Sequence, residues 1–207
     1  MPLAWRARTE RYRGRFLRRA RAPRTLTTMI LLAISGSLRA GSLNTAVLQA
    51  ARRAAPPGVD VVLYEGLAEL PAFNQDLEEG RHLPSTVRAL RAHVAAADGL
   101  LICSPEYAHG MPGALKNLLD WLVGSVDLPG KCVTLVAASE RSLYAHAQLV
   151  EVLRTMSARL VPDGAVVVPI SDRSMDATAI AGDPRLAGIL RDMLTRVVRA
   201  VDGQARG

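Results

Sequence analysis

The sequence predicts an α/β fold, a parallel sheet with helices on both faces. Three observations predict it. Five short runs rich in Ile, Leu and Val are brief enough to be strands and apolar enough to be buried on both sides. A stretch of helical spacing or good helix formers separates each run from the next, so that strands and helices alternate. No internal repeat or low-complexity linker interrupts the alternation, and the chain of 207 residues can bury a full core.

The elements follow in order. Met29 to Ile34 is the first strand, and TAVLQAARRAA after it is a helix carrying Val47, Leu48 and Ala51 on its apolar side. Pro56-Pro57-Gly58 breaks that helix and Val59 to Tyr64 is the second strand. Glu65 to Gly80 is mixed, and its run Leu70-Pro71-Ala72-Phe73-Asn74-Gln75-Asp76 is expected over the sheet edge or at a subunit contact. Leu83 to Ala97 has Val87, Leu90, Val94 and Ala97 at helical spacing. Asp98-Gly99 then turns into the third strand, ending at Ser104. Pro112 marks a helix start, with Leu115, Leu118, Leu119 and Leu122 as its stripe. Lys131 to Ser139 is the fourth strand, and a helix is expected from about Leu143 to Leu160. Asp163-Gly164 turns into the fifth strand, AVVVPI. A looser segment leads to Pro184 and a last helix to about Val201.

The chemistry concentrates where the first strand stops. Ser35, Gly36, Ser37, Arg39, Gly41, Ser42 and Asn44 fall within ten positions and lead into a helix. Strand, polar loop, helix is how a chain aims free backbone N–H groups and a helix dipole at an anion. The Ser37 and Ser42 hydroxyls, the Asn44 amide and the Arg39 guanidinium add donors for a phosphate. The spacing has neither the GxGxxG of a dinucleotide fold nor the Gly-Lys-Ser/Thr of a P-loop. It suits a terminal monophosphate such as that of flavin mononucleotide, although Ser and Asn are also ordinary helix caps. Ligands of such sheets bind at the C-terminal ends of the strands. The loops after strands one, three and four are therefore expected to build one site.

Composition narrows the class. No apolar run approaches the ~20 residues needed to cross a bilayer, and a soluble, cytoplasmic protein is expected. Cys103 and Cys132 both fall in strands, with no spacing for a disulfide framework or a metal site. The formal charge of +7 is misleading, because residues 1–28 hold nine arginines and one glutamate while the remainder is close to neutral. Arginine outnumbers lysine 24 to 2 throughout, so Arg-richness is a general bias of the chain. Residues 1–28 are expected to be a disordered basic extension, residues 29–202 the domain and residues 203–207 a tail. Neither nucleic acid nor membrane is expected as a partner.

Four stretches together resemble the NADPH-dependent FMN reductase family, over roughly Met29 to Val168. They are Gly36-Ser37-Leu38-Arg39 with Ser42 and Asn44, and Ser104-Pro105-Glu106-Tyr107. The others are Pro112-Gly113-Ala114-Leu115-Lys116-Asn117 with Asp120-Trp121, and Leu70-Pro71 with Asn74-Gln75-Asp76. The resemblance implies a flavodoxin-like fold with strand order 2-1-3-4-5. It implies an FMN-dependent NAD(P)H oxidoreductase passing hydride from NADPH or NADH, through the flavin, to a quinone, free flavin, azo dye or chromate. By the same resemblance Ser37, Leu38, Arg39, Gly41, Ser42, Leu43 and Asn44 hold the FMN phosphate; Arg39 itself is expected to partner either a phosphate or the 2′-phosphate of NADPH, against the plainer reading of a solvated arginine. Pro105, Glu106, Tyr107 and Ala108 line the ring, and Ser139 reaches the ring or ribityl chain. His109 and Tyr144 are expected to line the substrate side. No residue is required as acid or base, since the flavin carries the hydride transfer. A homodimer or homotetramer is implied, with a small-molecule electron acceptor as the other partner.

Two departures from the family stand out. Ala108 replaces a usual Asn, and Glu140-Arg141-Ser142-Leu143-Tyr144 replaces a Gly-rich turn after strand four. Leu143 and Tyr144 there imply a narrowed site, a changed nicotinamide or substrate pocket, or weaker flavin retention. Glu106 has two expected partners, the flavin and Lys116. Two other functions compete with the reductase: an electron carrier without NAD(P)H activity, and a flavin-poor binding protein. A carrier would show an acidic face, which the near-neutral domain lacks.

Overall fold

The computed structural model describes residues 28–79, 83–140, 142–162 and 166–205. The basic stretch 1–28 that the sequence singles out lies outside them except for its last residue. Fourteen short elements follow in chain order: β1 (Met29–Ser35), α1 (Leu43–Arg53), β2 (Val59–Leu63), a single 3-10 turn (Gly66–Glu69), α2 (Gln75–Glu79), α3 (Ser85–Ala96), β3 (Gly99–Cys103), α4 (Gly113–Leu122), β4 (Cys132–Ala137), α5 (Leu143–Thr155), β5 (Arg159–Leu160), β6 (Val166–Val167), α6 (Ala177–Gly182) and α7 (Pro184–Ala205). All pairings are parallel and the order is β2-β1-β3-β4, with β5 and β6 both on the far side of β4. The order reverses at β1 and β3, where the chain leaves in opposite directions and opens a crevice.

Strand residues divide by parity, as a period of two requires. Leu31 and Ala33 of β1 pack with Val47, Leu48, Ile180, Leu190, Met193 and Val197, the faces of α1, α6 and α7. Leu32 and Ile34 pack on the other side with Val87, Leu90, Leu115, Leu118, Leu119 and Leu153, from α3, α4 and α5. β1, β3 and β4 are covered on both sides. Every residue of β3 and β4 is buried, which is why those strands read as continuous apolar runs.

The Leu70 to Asp76 run lies against α4. Asn117 donates from Nδ2 to the Pro71 carbonyl at 2.9 Å and accepts from the Phe73 amide at 2.7 Å. Trp121 donates from Nε1 to the same Pro71 carbonyl at 2.8 Å, and Phe73 meets its ring edge-on with centroids 5.0 Å apart. Two of the motifs that carry the resemblance thus hold each other, and their work is structural.

Four features differ from the sequence reading. The helix expected to reach Leu160 stops at Thr155, because Ser157 enters the left-handed region at φ 59°. The amide of Ala158 then bonds the Leu153 carbonyl and that of Ser157 bonds the Arg154 carbonyl, a Schellman ending built without glycine. Arg159 and Leu160 are thereby freed to pair with β4. The fifth strand comes in two pieces: Leu160 stands opposite Val133 and Val166 opposite Val136, so this strand spends more residues than its neighbour over the same length. Finally, α6 occupies part of the segment expected to be loose, and α7 continues past Val201 to Ala205.

Candidate functional site

A cleft of about 910 Å³ opens over the C-terminal ends of β1, β3, β4 and β6. It is lined by Ser37, Arg39, Gly41, Ser42, Leu43, Asn44, Pro105, Glu106, Tyr107 and Ser139, ten of the fourteen residues expected from the sequence. Leu38 is exposed, and it, Ala108, His109 and Tyr144 are not among the lining residues. Ala138, Ser142, Ile170, Ser171 and Arg173 also line it, and the sequence reading placed none of these in the site.

The loop from β1 to α1 is shaped by its own hydroxyls. Ser35 Oγ bonds Thr45 Oγ1 at 2.8 Å and accepts from the Ser37 amide at 3.4 Å, while Ser37 Oγ accepts from the Arg39 amide at 3.3 Å. Accepting that bond leaves the Ser37 hydroxyl proton to give elsewhere. Ser42 is the N-cap of α1, but its side chain makes no cap bond. Its Oγ is buried and has no partner among the described residues. An orphaned buried hydroxyl costs roughly 1–3 kcal/mol, so its place at a helix head lining the cleft points to an acceptor that fills the cleft. The first-turn amides of α1 lack intrahelical acceptors and aim the same way. Asn44 is held from below. Cys103 Sγ donates to Asn44 Oδ1 at 3.2 Å, and burial pushes that thiol up to about 12, so it stays a donor at neutral pH. With Oδ1 engaged, the Asn44 amide nitrogen is the group left to donate into the cleft.

The opposite wall is a clamp between two loops. Glu106 Oε2 accepts from the amides of Tyr144 at 2.8 Å and Ala145 at 3.0 Å. A carboxylate from one loop thereby caps the head of α5, whose own N-cap Ser142 makes no side-chain cap bond. Lys116, one partner expected for Glu106, pairs instead with Asp120 one turn further along α4. Met111 donates its amide to Gln148 Oε1 at 2.9 Å, and the His109 ring stacks on Tyr144 with centroids 4.3 Å apart. Tyr107 and Gly110 exchange backbone bonds at 3.0 Å around Ala108 and His109, both left-handed at φ 47° and 59°. This two-residue turn favours Asn and Gly, and alanine there is strained. Ala108→Asn is expected to raise stability by about 1 kcal/mol, read as a higher denaturant midpoint with an unchanged slope.

The fourth contribution comes from beyond β6. Ile170, Ser171 and Arg173 reach the cleft because α6 docks on α1, where Arg53 Nη1 donates to Thr178 Oγ1 at 2.7 Å. Asp176 starts α6 by accepting from the amides of Thr178 and Ala179. Among the described residues, no group of three or more His, Cys, Asp or Glu could hold a metal ion.

The arrangement can hold a phosphate at the head of α1 and a flat ring between the loops after β3 and β4. The model of the family described as NADPH-dependent FMN reductase matches residues 29–172. The chain is 36% identical over 175 residues to "Probable NADPH:quinone oxidoreductase 2" of Oryza sativa subsp. japonica, covering 78% of this chain and 83% of that protein. It is also 36% identical over 111 residues to the quinone reductase of Escherichia coli, a match spanning 53% of this chain and 59% of the relative's length. Among solved structures, FerB of Paracoccus denitrificans, a flavoenzyme NAD(P)H:(acceptor) oxidoreductase, superposes with TM-score 0.65 at 24% identity. That match covers 84% of this chain and 98% of FerB, and it attests the shared fold. The chain belongs to the NADPH-dependent FMN reductase family.

Proposed function

We propose that this chain is an FMN-dependent NAD(P)H oxidoreductase acting on small-molecule acceptors, with quinones as the leading class. The observation that carries the reading is the buried, unpartnered Ser42 hydroxyl at the head of α1, on the wall of a cleft wide enough for a ring system. The residues present suit FMN: hydroxyls of Ser37 and Ser42, the first-turn amides and the Asn44 amide for the phosphate, with Arg39 for its charge. Bound FMN supplies the relay by which NAD(P)H gives up a hydride and a quinone gains it with one solvent proton, leaving NAD(P)⁺ and hydroquinone. Pro105 and Tyr107 cover the ring, and the Glu106 cap keeps that wall from opening. His109 and Tyr144, stacked on one another, form an aromatic rim on the side from which an acceptor approaches.

Tyr107, Leu143 and Tyr144 are more than half exposed. A partner copy would cover such a rim, which supports a homodimer or homotetramer. No helix among the described residues is long and apolar enough to cross a membrane, and Cys103 and Cys132 are both free and buried, in keeping with a cytoplasmic setting.

The test is the visible spectrum of the purified full chain. Flavin bands, intrinsic or after adding FMN, that bleach with NADPH under anaerobic conditions and return with a quinone are the expected result. A flavin that stays oxidised with both nicotinamides would leave an electron carrier. A chain that takes up no FMN would end the reading.

A further inference from the structure

Two arginines line the cleft from separate loops, Arg39 after β1 and Arg173 after β6. Both are exposed, and neither has an acidic partner among the described residues. The acids near Arg173 are committed elsewhere. Asp172 Oδ1 accepts from the Ser174 amide at 2.8 Å and from Ser174 Oγ at 2.7 Å, bonds that hold its carboxyl below the usual carboxylate range. Asp176 Oδ1 caps α6, and Glu106 caps α5 across the cleft. The loop itself is held in place, since Arg185 Nη2 reaches the Pro169 carbonyl at 3.3 Å and α6 is docked on α1 through Thr178.

One phosphate is already accounted for. The Ser37 and Ser42 hydroxyls, the first-turn amides of α1 and Arg39 form a single cradle for a single monoester. Arg173 stands on a different loop, with Ile170 and Ser171. A guanidinium kept unpaired at the edge of a ligand cleft suits an anion that approaches from solvent. NADPH and NADH differ by one such anion, the 2′-phosphate on the adenosine ribose.

Resting on the flavin-reductase reading, we propose that Arg173 reads the 2′-phosphate of NADPH and sets a preference for NADPH over NADH, while Arg39 serves the flavin phosphate. Nucleotide fragments without a nicotinamide ring separate this from effects on turnover. Calorimetric titration of the FMN-loaded full chain with 2′,5′-ADP and with 5′-AMP is expected to show the former binding at least about tenfold more tightly, the scale of a charge-assisted contact. In Arg173→Gln that gap collapses while FMN affinity, read from quenching of flavin fluorescence, is unchanged, and Arg173→Lys keeps most of the gap. In Arg39→Gln FMN binding weakens and the gap persists. The KM for NADPH rises in Arg173→Gln, with kcat and the KM for NADH unmoved. A gap that survives Arg173→Gln, or a loss of FMN affinity equal to that of Arg39→Gln, overturns the assignment and leaves the reductase standing. Failure of the wild-type chain to take up FMN or to bind either nucleotide overturns both.

Discussion

Ser42→Ala is expected to leave the apoprotein as stable as before, or firmer, and to weaken FMN binding by about tenfold to a hundredfold. The two effects have opposite signs for one reason. An N-cap serine replaced by alanine ordinarily costs about 0.5–2 kcal/mol, because the hydroxyl satisfies a backbone amide of the first turn. Here it does not: Ser42 makes no cap bond and its Oγ is buried without a partner among the described residues. Deleting an unsatisfied buried hydroxyl removes a desolvation penalty and no bond. Once a phosphate is bound, the same hydroxyl donates to a charged acceptor, worth roughly 1.5–3 kcal/mol. Thermal denaturation without FMN and a fluorescence titration with it read the two halves. A clear loss of apoprotein stability would mean that Ser42 is a structural cap after all. An unchanged FMN affinity would remove it from the phosphate cradle.

Trp121→Ala is expected to have the largest effect on stability, about 3–5 kcal/mol, or a fall in Tm of roughly 6–20 °C for a domain of this size. Trp121 is fully buried at the end of α4. Its indole N–H holds the Pro71 carbonyl, its ring takes Phe73 edge-on, and its own carbonyl accepts from Arg91 Nε at 3.1 Å and Nη2 at 2.8 Å. Arg91 is also paired with Glu78 of α2, so the tryptophan, α3, α2 and the segment leading into it form one unit. Trp121→Phe keeps most of the volume and loses the N–H bond, and an intermediate loss is expected. If Trp121→Ala melted within a degree or two of the parent, the segment from Leu70 to Asp76 would have to be held by contacts other than these.

The sequence was most legible where local chemistry and fold agree. β1, β3 and β4 announce themselves by burial on both faces, and the Ser37 to Asn44 loop by a density of donors that no ordinary turn needs. Three things were hidden for physical reasons. The end of α5 falls on Ser157, which adopts a left-handed backbone without the glycine that normally marks it. The cap on α5 is Glu106, distant in sequence and identifiable only once the loops after β3 and β4 are neighbours. Arg173 sits in a stretch with no periodicity and no motif, and it enters the cleft only because α6 docks on α1. The signal for α6 was present in Asp176, a good N-cap ahead of Ala-Thr-Ala-Ile. A helix of six residues is too short for periodicity to reveal.

The broken fifth strand has a consequence for how molecules of this chain meet one another. A long, regular outer strand is a template on which a second chain can lay its own backbone, which is how sheets fuse and fibres begin. Among the described residues the template on this side of the sheet is two dipeptides, Arg159–Leu160 and Val166–Val167, out of step with the spacing of β4. A foreign strand cannot run straight along both. The opposite border, β2, is five residues long and carries Asp60 outward, a charge that disfavours a strand stacking there. The homo-oligomer proposed above would therefore have to form through side-chain surfaces such as the aromatic rim of the cleft and not by extending the sheet, a mode of association that ends at a closed number of subunits.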